Sequence, residues 1–171
     1  MADKLLVAVM GHRNSGKSTT WNTLFGSEVR TGTKVRTLEV GDGQAVEVFV
    51  VSGSPEERKL YVGDLLNDST PRIVLCSLQY REGVWDSYSF FFEHGYQAMI
   101  QWLNPGHDDE GEQYADTLGL VPRLLSHPTL IGIRDGRDDP TRRVRELRDY
   151  IAGWRGRATC CSLLTVELTQ H

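Results

Sequence analysis

The chain has 171 residues and a formal net charge of −4. That length suits one domain over residues 1–171 and is too short for two ordinary ones. The acidic balance argues against generic nucleic-acid or anionic-membrane binding through bulk charge.

Three cysteines, Cys76, Cys160 and Cys161, show no C-x-x-C spacing, so reduced thiols in a cytoplasmic protein are expected. No apolar run reaches the length of a membrane span. Met1–Lys4 leads into an apolar run too short and too poorly flanked for a signal peptide. The run from Lys4 to Met10 instead predicts a parallel strand covered on both faces.

Gly11-His12-Arg13-Asn14-Ser15-Gly16-Lys17-Ser18 follows at once and fits G-x-x-x-x-G-K-[ST] at every fixed position. Ser18 to Phe25, stopped by Gly26, predicts a short helix. Strand, glycine-rich loop and helix N-terminus together make a concavity of backbone N–H groups for a polyphosphate. Gly11 and Gly16 let the backbone approach phosphate oxygens. Lys17 is placed to reach the β- and γ-phosphates as the catalytic point charge, and the Ser18 hydroxyl to ligate Mg²⁺.

Ser27 to Thr33 reads as a polar loop. Val35–Val40 and Val46–Val51 read as two strands of a hairpin around Gly41-Asp42-Gly43. Ser52-Gly53-Ser54-Pro55 breaks the second strand, and Pro55-Glu56-Glu57 opens a helix expected to run to about Asn67. Arg72–Ser77 is a further strand. Glu82–His94 is helical and aromatic, and Tyr96–Leu103 is a strand that stops at Asn104-Pro105-Gly106.

A helix from about Glu110 to Ser126, bent near Pro122, is expected next, followed by a short strand at Thr129–Ile133. Asp139 reads as an N-cap with Pro140 in the first helical position. Val144, Leu147, Ile151 and Trp154 form one apolar stripe on the last helix. Thr159–Leu168 reads as an added edge strand. Strands alternating with helices predict an α/β fold of three layers around a mostly parallel sheet, with the ligand at the carboxyl ends of the strands.

Residues 11–26, with Asn14, Thr19, Asn22, Leu24 and Gly26 around the phosphate-loop pattern, resemble the opening of translation-factor-class GTPases of the TrmE–Era–EngA–septin type. The order of elements is similar to a Ras-like P-loop NTPase. The resemblance implies binding of GTP (or ATP) with Mg²⁺ through Gly11, Asn14, Ser15, Gly16, Lys17, Ser18 and Thr19. It also implies K⁺ beside Asn14, as in many members. Switch I of such proteins brings a Thr to Mg²⁺; Thr31, Thr33 and Thr37 lie in a suitable region, and Thr33 is the expected ligand.

The chain departs from the family twice. Ser52-Gly53-Ser54-Pro55 stands where D-x-x-G is expected, so the acid is missing. Asn104-Pro105-Gly106-His107-Asp108 stands where N-K-x-D is expected, leaving Asn104 and Asp108 as a modified base reader. The expected function is nucleoside-triphosphate binding, with hydrolysis that is slow or dependent on a protein partner. The alternatives are a degenerate GTPase serving as a protein-binding module, and a small-molecule kinase. The kinase would need a lid of arginines, and none stands out in the middle of the chain.

Other residues have plainer readings. Arg13 either points to solvent or contacts phosphate as a built-in arginine finger does. Asp135, Asp138 and Asp139 read as turn and cap residues rather than a displaced metal acid. Arg142, Arg143, Arg145 and Arg148, interleaved with Glu146 and Asp149, read as a solvated helix face. Trp85, Tyr88, Phe90, Phe91 and Phe92 read as core with an excess that would suit a partner surface. The histidines show no zinc spacing.

Overall fold

A computed structural model describes residues 3–67 and 69–167, with side-chain surroundings described as far as Arg155. Six strands form one sheet: β1 (Lys4–Gly11), β2 (Arg36–Gly41), β3 (Gln44–Val51), β4 (Ile73–Gln79), β5 (Tyr96–Leu103) and β6 (Thr129–Arg134). Their order across the sheet is β2-β3-β4-β1-β5-β6. Only β2 runs antiparallel to its neighbour; the other adjacent pairs are parallel. The helices are α1 (Lys17–Phe25), α2 (Pro55–Arg58), α3 (Val62–Leu65), α4 (Val84–Glu93), α5 (Leu120–Leu125) and α6 (Pro140–Glu167).

The alternation along β1 explains the layers. Leu6, Ala8 and Met10 enter one core with Val62, Tyr88, Phe91 and Leu124, whereas Leu5, Val7 and Val9 enter another with Trp21, Leu24, Val144 and Leu147. Side chains of a strand point alternately to its two faces, so a continuous apolar run requires cover on both. Helices α3, α4 and α5 cover one face and α1 and α6 the other. This is a three-layer α/β architecture.

Both cores contain aromatic side chains whose polar tips are satisfied. The Trp21 indole N–H, on a side chain with no exposed surface, donates to the Ser77 hydroxyl at 2.8 Å. The Tyr96 hydroxyl donates to the Pro71 carbonyl. On α4, Tyr88 and Phe91 are buried. The excess aromatics find cover within the chain: the Arg123 guanidinium lies 3.7 Å over the Trp85 ring, and the His127 ring stacks on Phe92 at 4.1 Å.

Three expected elements differ. The helix expected from Pro55 to Asn67 is split into α2 and α3. Lys59 adopts a left-handed conformation (φ 51°), and Leu60 N–H closes back on Pro55. The turn lets Val62 and Leu66 reach the core beside α4 while Glu56 stays at the end of β4. The helix expected from Glu110 to Ser126 is formed only over α5. Before it, Tyr114 is held by the Asn104 side chain, and Asp116 accepts hydrogen bonds from the Tyr80 hydroxyl and Val121 N–H, both at 2.7 Å. Those side chains compete successfully with helical pairing. Pro122 sits in the first turn of α5, where a missing N–H is tolerated.

The edge strand expected at Thr159–Leu168 is helical through Glu167 as the continuation of α6; Leu168 lies outside the described residues. No proline follows Pro140 to stop that helix. Cys160, Cys161 and His171 lie beyond the described side chains. Among the described residues no helix is long and apolar enough to cross a membrane.

The Trp21–Ser77 bond ties α1 to β4 through the core. Ser77→Ala leaves the indole N–H buried and unpaired, so chemical denaturation should show a loss of about 1–3 kcal/mol. A loss below about 0.5 kcal/mol would mean that the hydroxyl contributes only volume.

Candidate functional site

Because β3, β4, β1, β5 and β6 are parallel, the segments leaving them gather at one end of the sheet. The glycine-rich loop between β1 and α1 lies in the middle. Asn14 (φ 55°) and Gly16 (φ 101°) both take left-handed conformations, and Gly16 caps α1. Alternation of ordinary and left-handed residues turns successive N–H groups toward a common centre. Thr20 fastens the start of the helix, its N–H and hydroxyl both donating to the Gly16 carbonyl at 3.1 and 3.0 Å.

Lys17 is buried. Its ammonium donates to the His12 carbonyl at 2.6 Å, and to the Gly11 carbonyl and Ser15 hydroxyl at 3.3 Å. No carboxylate pairs with it among the described residues. Burial lowers its pKa below the ordinary lysine value, while the charges of Glu57, Glu56 and Asp109 act in the opposite direction.

Two further loops close on the same point. His107 N–H donates to the Ser15 carbonyl at 3.0 Å, Asp108 N–H to the Asn14 carbonyl at 3.3 Å, and Gly136 N–H to the Pro105 carbonyl at 2.7 Å. Asp109 accepts from Gly106 N–H at 2.7 Å and contacts the His12 ring at 3.2 Å, and that ring stacks on Tyr114 at 3.9 Å. A Cβ on Gly106 would stand 2.5 Å from the Ser15 Cβ, and one on Gly136 would strike the Ser15 carbonyl. Glycine is required at both positions by proximity to Ser15.

The resulting pocket, about 300 Å³, is lined by Asn14 through Thr19 with Ser52, Ser54, Glu57, His107 and Asp108. The expected residues Gly16, Ser15, Lys17, Ser18, Thr19, Asn14 and Asp108 are therefore together, with Gly11 immediately beneath the loop. Asn104 is elsewhere. It is 1% exposed, and its amide is committed to the Tyr114 backbone at 2.8 and 2.9 Å. Thr33 is exposed and does not line the pocket. Its neighbour Thr31 is the threonine that reaches the segment after β3, accepting from Ser52 N–H at 3.1 Å and Gly53 N–H at 3.4 Å.

Glu57 is the residue that pattern matching passes over. It lines the pocket although it lies five positions beyond Ser52, where the resemblance places an acid. Its only sequence signal is the Glu56-Glu57 pair, which is explained equally well by the helix dipole. Glu56 has another role. It accepts from Gln79 N–H at 3.0 Å and the Ser87 hydroxyl at 2.5 Å, and burial raises its pKa above the ordinary carboxylate value.

The remaining candidates fall into place as structural residues. Asp135 pairs with Arg137 at 2.7 Å, and Asp139 accepts from Thr141 N–H at 2.9 Å. The last helix is not a wholly solvated basic face. Arg143, 3% exposed, donates to the Thr20 hydroxyl and the Asp138 carbonyl at 3.0 Å, and Arg148 donates to the Leu24 carbonyl at 2.9 Å. Packing of α6 on α1 turns two of the arginines inward, where α1 presents oxygen acceptors. Among the described residues no group of three or more His, Cys, Asp or Glu is arranged to hold a metal ion.

No protein-family model matches the chain, and no curated protein matches it with significant similarity.

Two tests address this geometry. Gly136→Ala forces the backbones of three loops apart and should cost about 1–3 kcal/mol of stability in thermal or chemical denaturation. Glu56 holds its proton more tightly in the folded chain than in the unfolded one, so its contribution to stability falls as pH rises from the ordinary carboxylate range through its raised pKa. Glu56→Ala should destabilise the protein by about 1–3 kcal/mol through the orphaned Gln79 N–H and Ser87 hydroxyl. It should also flatten stability against pH in that window, and an unchanged slope would assign the pH dependence to other groups.

Proposed function

We propose that the chain binds a nucleoside triphosphate with Mg²⁺ at Gly11–Thr19 and hydrolyses it slowly, as a GTPase-like P-loop protein of Ras-like type. The observation that carries this reading is the Lys17 ammonium, buried under a left-handed turn and held, among the described residues, by carbonyl and hydroxyl oxygens of its own loop. A buried cation without a counter-ion is costly unless a charge partner arrives. A polyphosphate in the adjoining pocket supplies that partner.

The residues fit the group. The loop's glycines serve close packing, since a Cβ on Gly11 would stand 2.5 Å from the Ser15 hydroxyl and one on Gly16 3.3 Å from the Arg143 guanidinium. The Ser54 hydroxyl is buried in the pocket wall with no partner among the described residues. Ser18 and Glu57 would hold Mg²⁺, whose other ligands come from phosphate oxygens and water. When bound, the ion neutralises charge on the β- and γ-oxygens. The chain itself binds and orients the phosphates through the loop N–H groups and the N-terminus of α1, and stabilises developing charge through Lys17.

Two features favour slow turnover. Pro55 stands where the family carries the glycine whose N–H senses the γ-phosphate, and proline has no N–H. Moreover the acid that lines the pocket, Glu57, lies five positions beyond Ser52, so the family's switch residues after β3 do not transfer position by position. These same features support the second reading, a protein-binding module in which bound nucleotide is not turned over.

Titration calorimetry tests the assignment. Lys17→Ala should weaken Mg²⁺-linked nucleotide binding by about a hundredfold or more; undiminished affinity would remove the phosphate-loop reading. With the Asn104 amide committed to Tyr114, GTP and ATP should bind within about tenfold of each other. A much larger guanine preference would assign base reading to Asp108 alone. Turnover equal to that of Lys17→Ala would select the binding module over the hydrolase.

A further inference from the structure

A second cleft opens directly beside the phosphate loop. It holds about 490 Å³ and is lined by Arg13, Asn14, Glu57, Gln79 and Arg81. Its position follows from the sheet order. Since β4 is the neighbour of β1, Gln79 pairs in register with Gly11, and Tyr80 N–H donates to the Gly11 carbonyl at 2.9 Å. The chain leaving β4 therefore runs alongside the loop, carrying Arg81 to the side where Arg13 stands. Asn14 and Glu57 line both this cleft and the nucleotide pocket.

The cleft gathers groups that the fold does not use. Most arginines with described side chains are engaged with a carboxylate, a carbonyl, a hydroxyl, an amide or an aromatic ring. Among the described residues, Arg13, Arg81 and Arg145 are the arginines without such a partner, and Arg13 and Arg81 line the same cleft. The Gln79 side-chain oxygen is buried and has no hydrogen-bond partner among the described residues. Glu57 accepts no hydrogen bond there either. A buried amide oxygen without a donor costs free energy until one is supplied.

We propose that this cleft binds a phosphorylated small molecule bearing hydroxyl groups, held next to the position of the nucleotide's terminal phosphate. Two guanidiniums match the charge and planar acceptor geometry of a phosphate dianion. The Gln79 side-chain amide, which lines the cleft, is suited to a hydroxyl of the same molecule. The volume lies in the range of small-molecule sites. Shared residues at the border couple the two sites, so a ligand in the cleft and a nucleotide in the pocket alter each other's affinity reciprocally. The proposal rests on the nucleotide reading above for its neighbour but has its own residues.

Inorganic phosphate is the probe. Protein saturated with Mg²⁺ and a non-hydrolysable GTP analogue, so that the β- and γ-positions of the phosphate loop are both filled, is titrated with phosphate by calorimetry. One phosphate should bind, and Arg81→Ala should weaken it by at least about tenfold while affinity for the analogue stays within about twofold. Arg145→Ala, which removes an unpaired arginine outside the cleft, should change neither quantity. Glycerate, a carboxylate with hydroxyls, should bind more weakly than phosphate. Absent phosphate binding, or equal affinity in wild type and Arg81→Ala, overturns the proposal, and tighter glycerate binding reassigns the cleft to a carboxylate and overturns its phosphate class. Failure of wild-type protein to bind the GTP analogue would overturn the nucleotide reading instead. The same phosphate titration without nucleotide, compared between wild type and Arg81→Ala, would then still decide the cleft.

Discussion

Backbone packing around Ser15 is the constraint on which the site depends. Its carbonyl accepts from His107, its side chain lies where a Cβ on Gly11 or Gly106 would intrude, and its carbonyl also bars a Cβ on Gly136. Three segments leaving β1, β5 and β6 thus touch at one residue with no side chain between them. Interiors at that density deform in steps rather than continuously, so the loop's shape is set jointly by all three segments. Among the described residues Lys17 then bonds the oxygens of its own loop.

The sheet order decides what stands beside that loop. With β4 next to β1, the segment from Gln79 to Arg81 becomes the loop's neighbour, and β3 delivers its residues from one strand further away. Glu57 reaches the pocket because the chain turns through α2 after β3. No acid stands at the strand end itself, and Glu57 brings one to the pocket wall. On the far side, the loops after β5 and β6 close the site through Asp108 and Gly136.

The layers were legible in the chain because the apolar run at Leu5–Met10 and the stripe Val144–Leu147–Ile151–Trp154 state their period directly. The strand, tight turn and helix at residues 4–25 were legible because the apolar run, the glycines and the Gly26 stop each answer to a local steric need. Residues placed by partners distant in sequence were not. Asn104 sits at the expected element, yet its amide faces Tyr114 rather than the pocket, and nothing local to Asn104-Pro105-Gly106 foretells that. Arg143 and Arg148 occupy a helix face whose alternating charges suggest water, but oxygen atoms of α1 lie opposite them. The break at Lys59 was hidden because a left-handed lysine has no compositional signal comparable to a glycine.

A loop already closed on its lysine has met its ordering cost during folding, not on encountering a ligand. Its conformational entropy is lost whether or not phosphate arrives. Ligand occupancy and fold integrity accordingly draw on one reservoir of free energy, and whatever fills the pocket raises the unfolding midpoint in proportion to the logarithm of its concentration. In a chain built this way a buried lysine with no carboxylate partner among the described residues is a source of instability that an anion in the pocket would relieve.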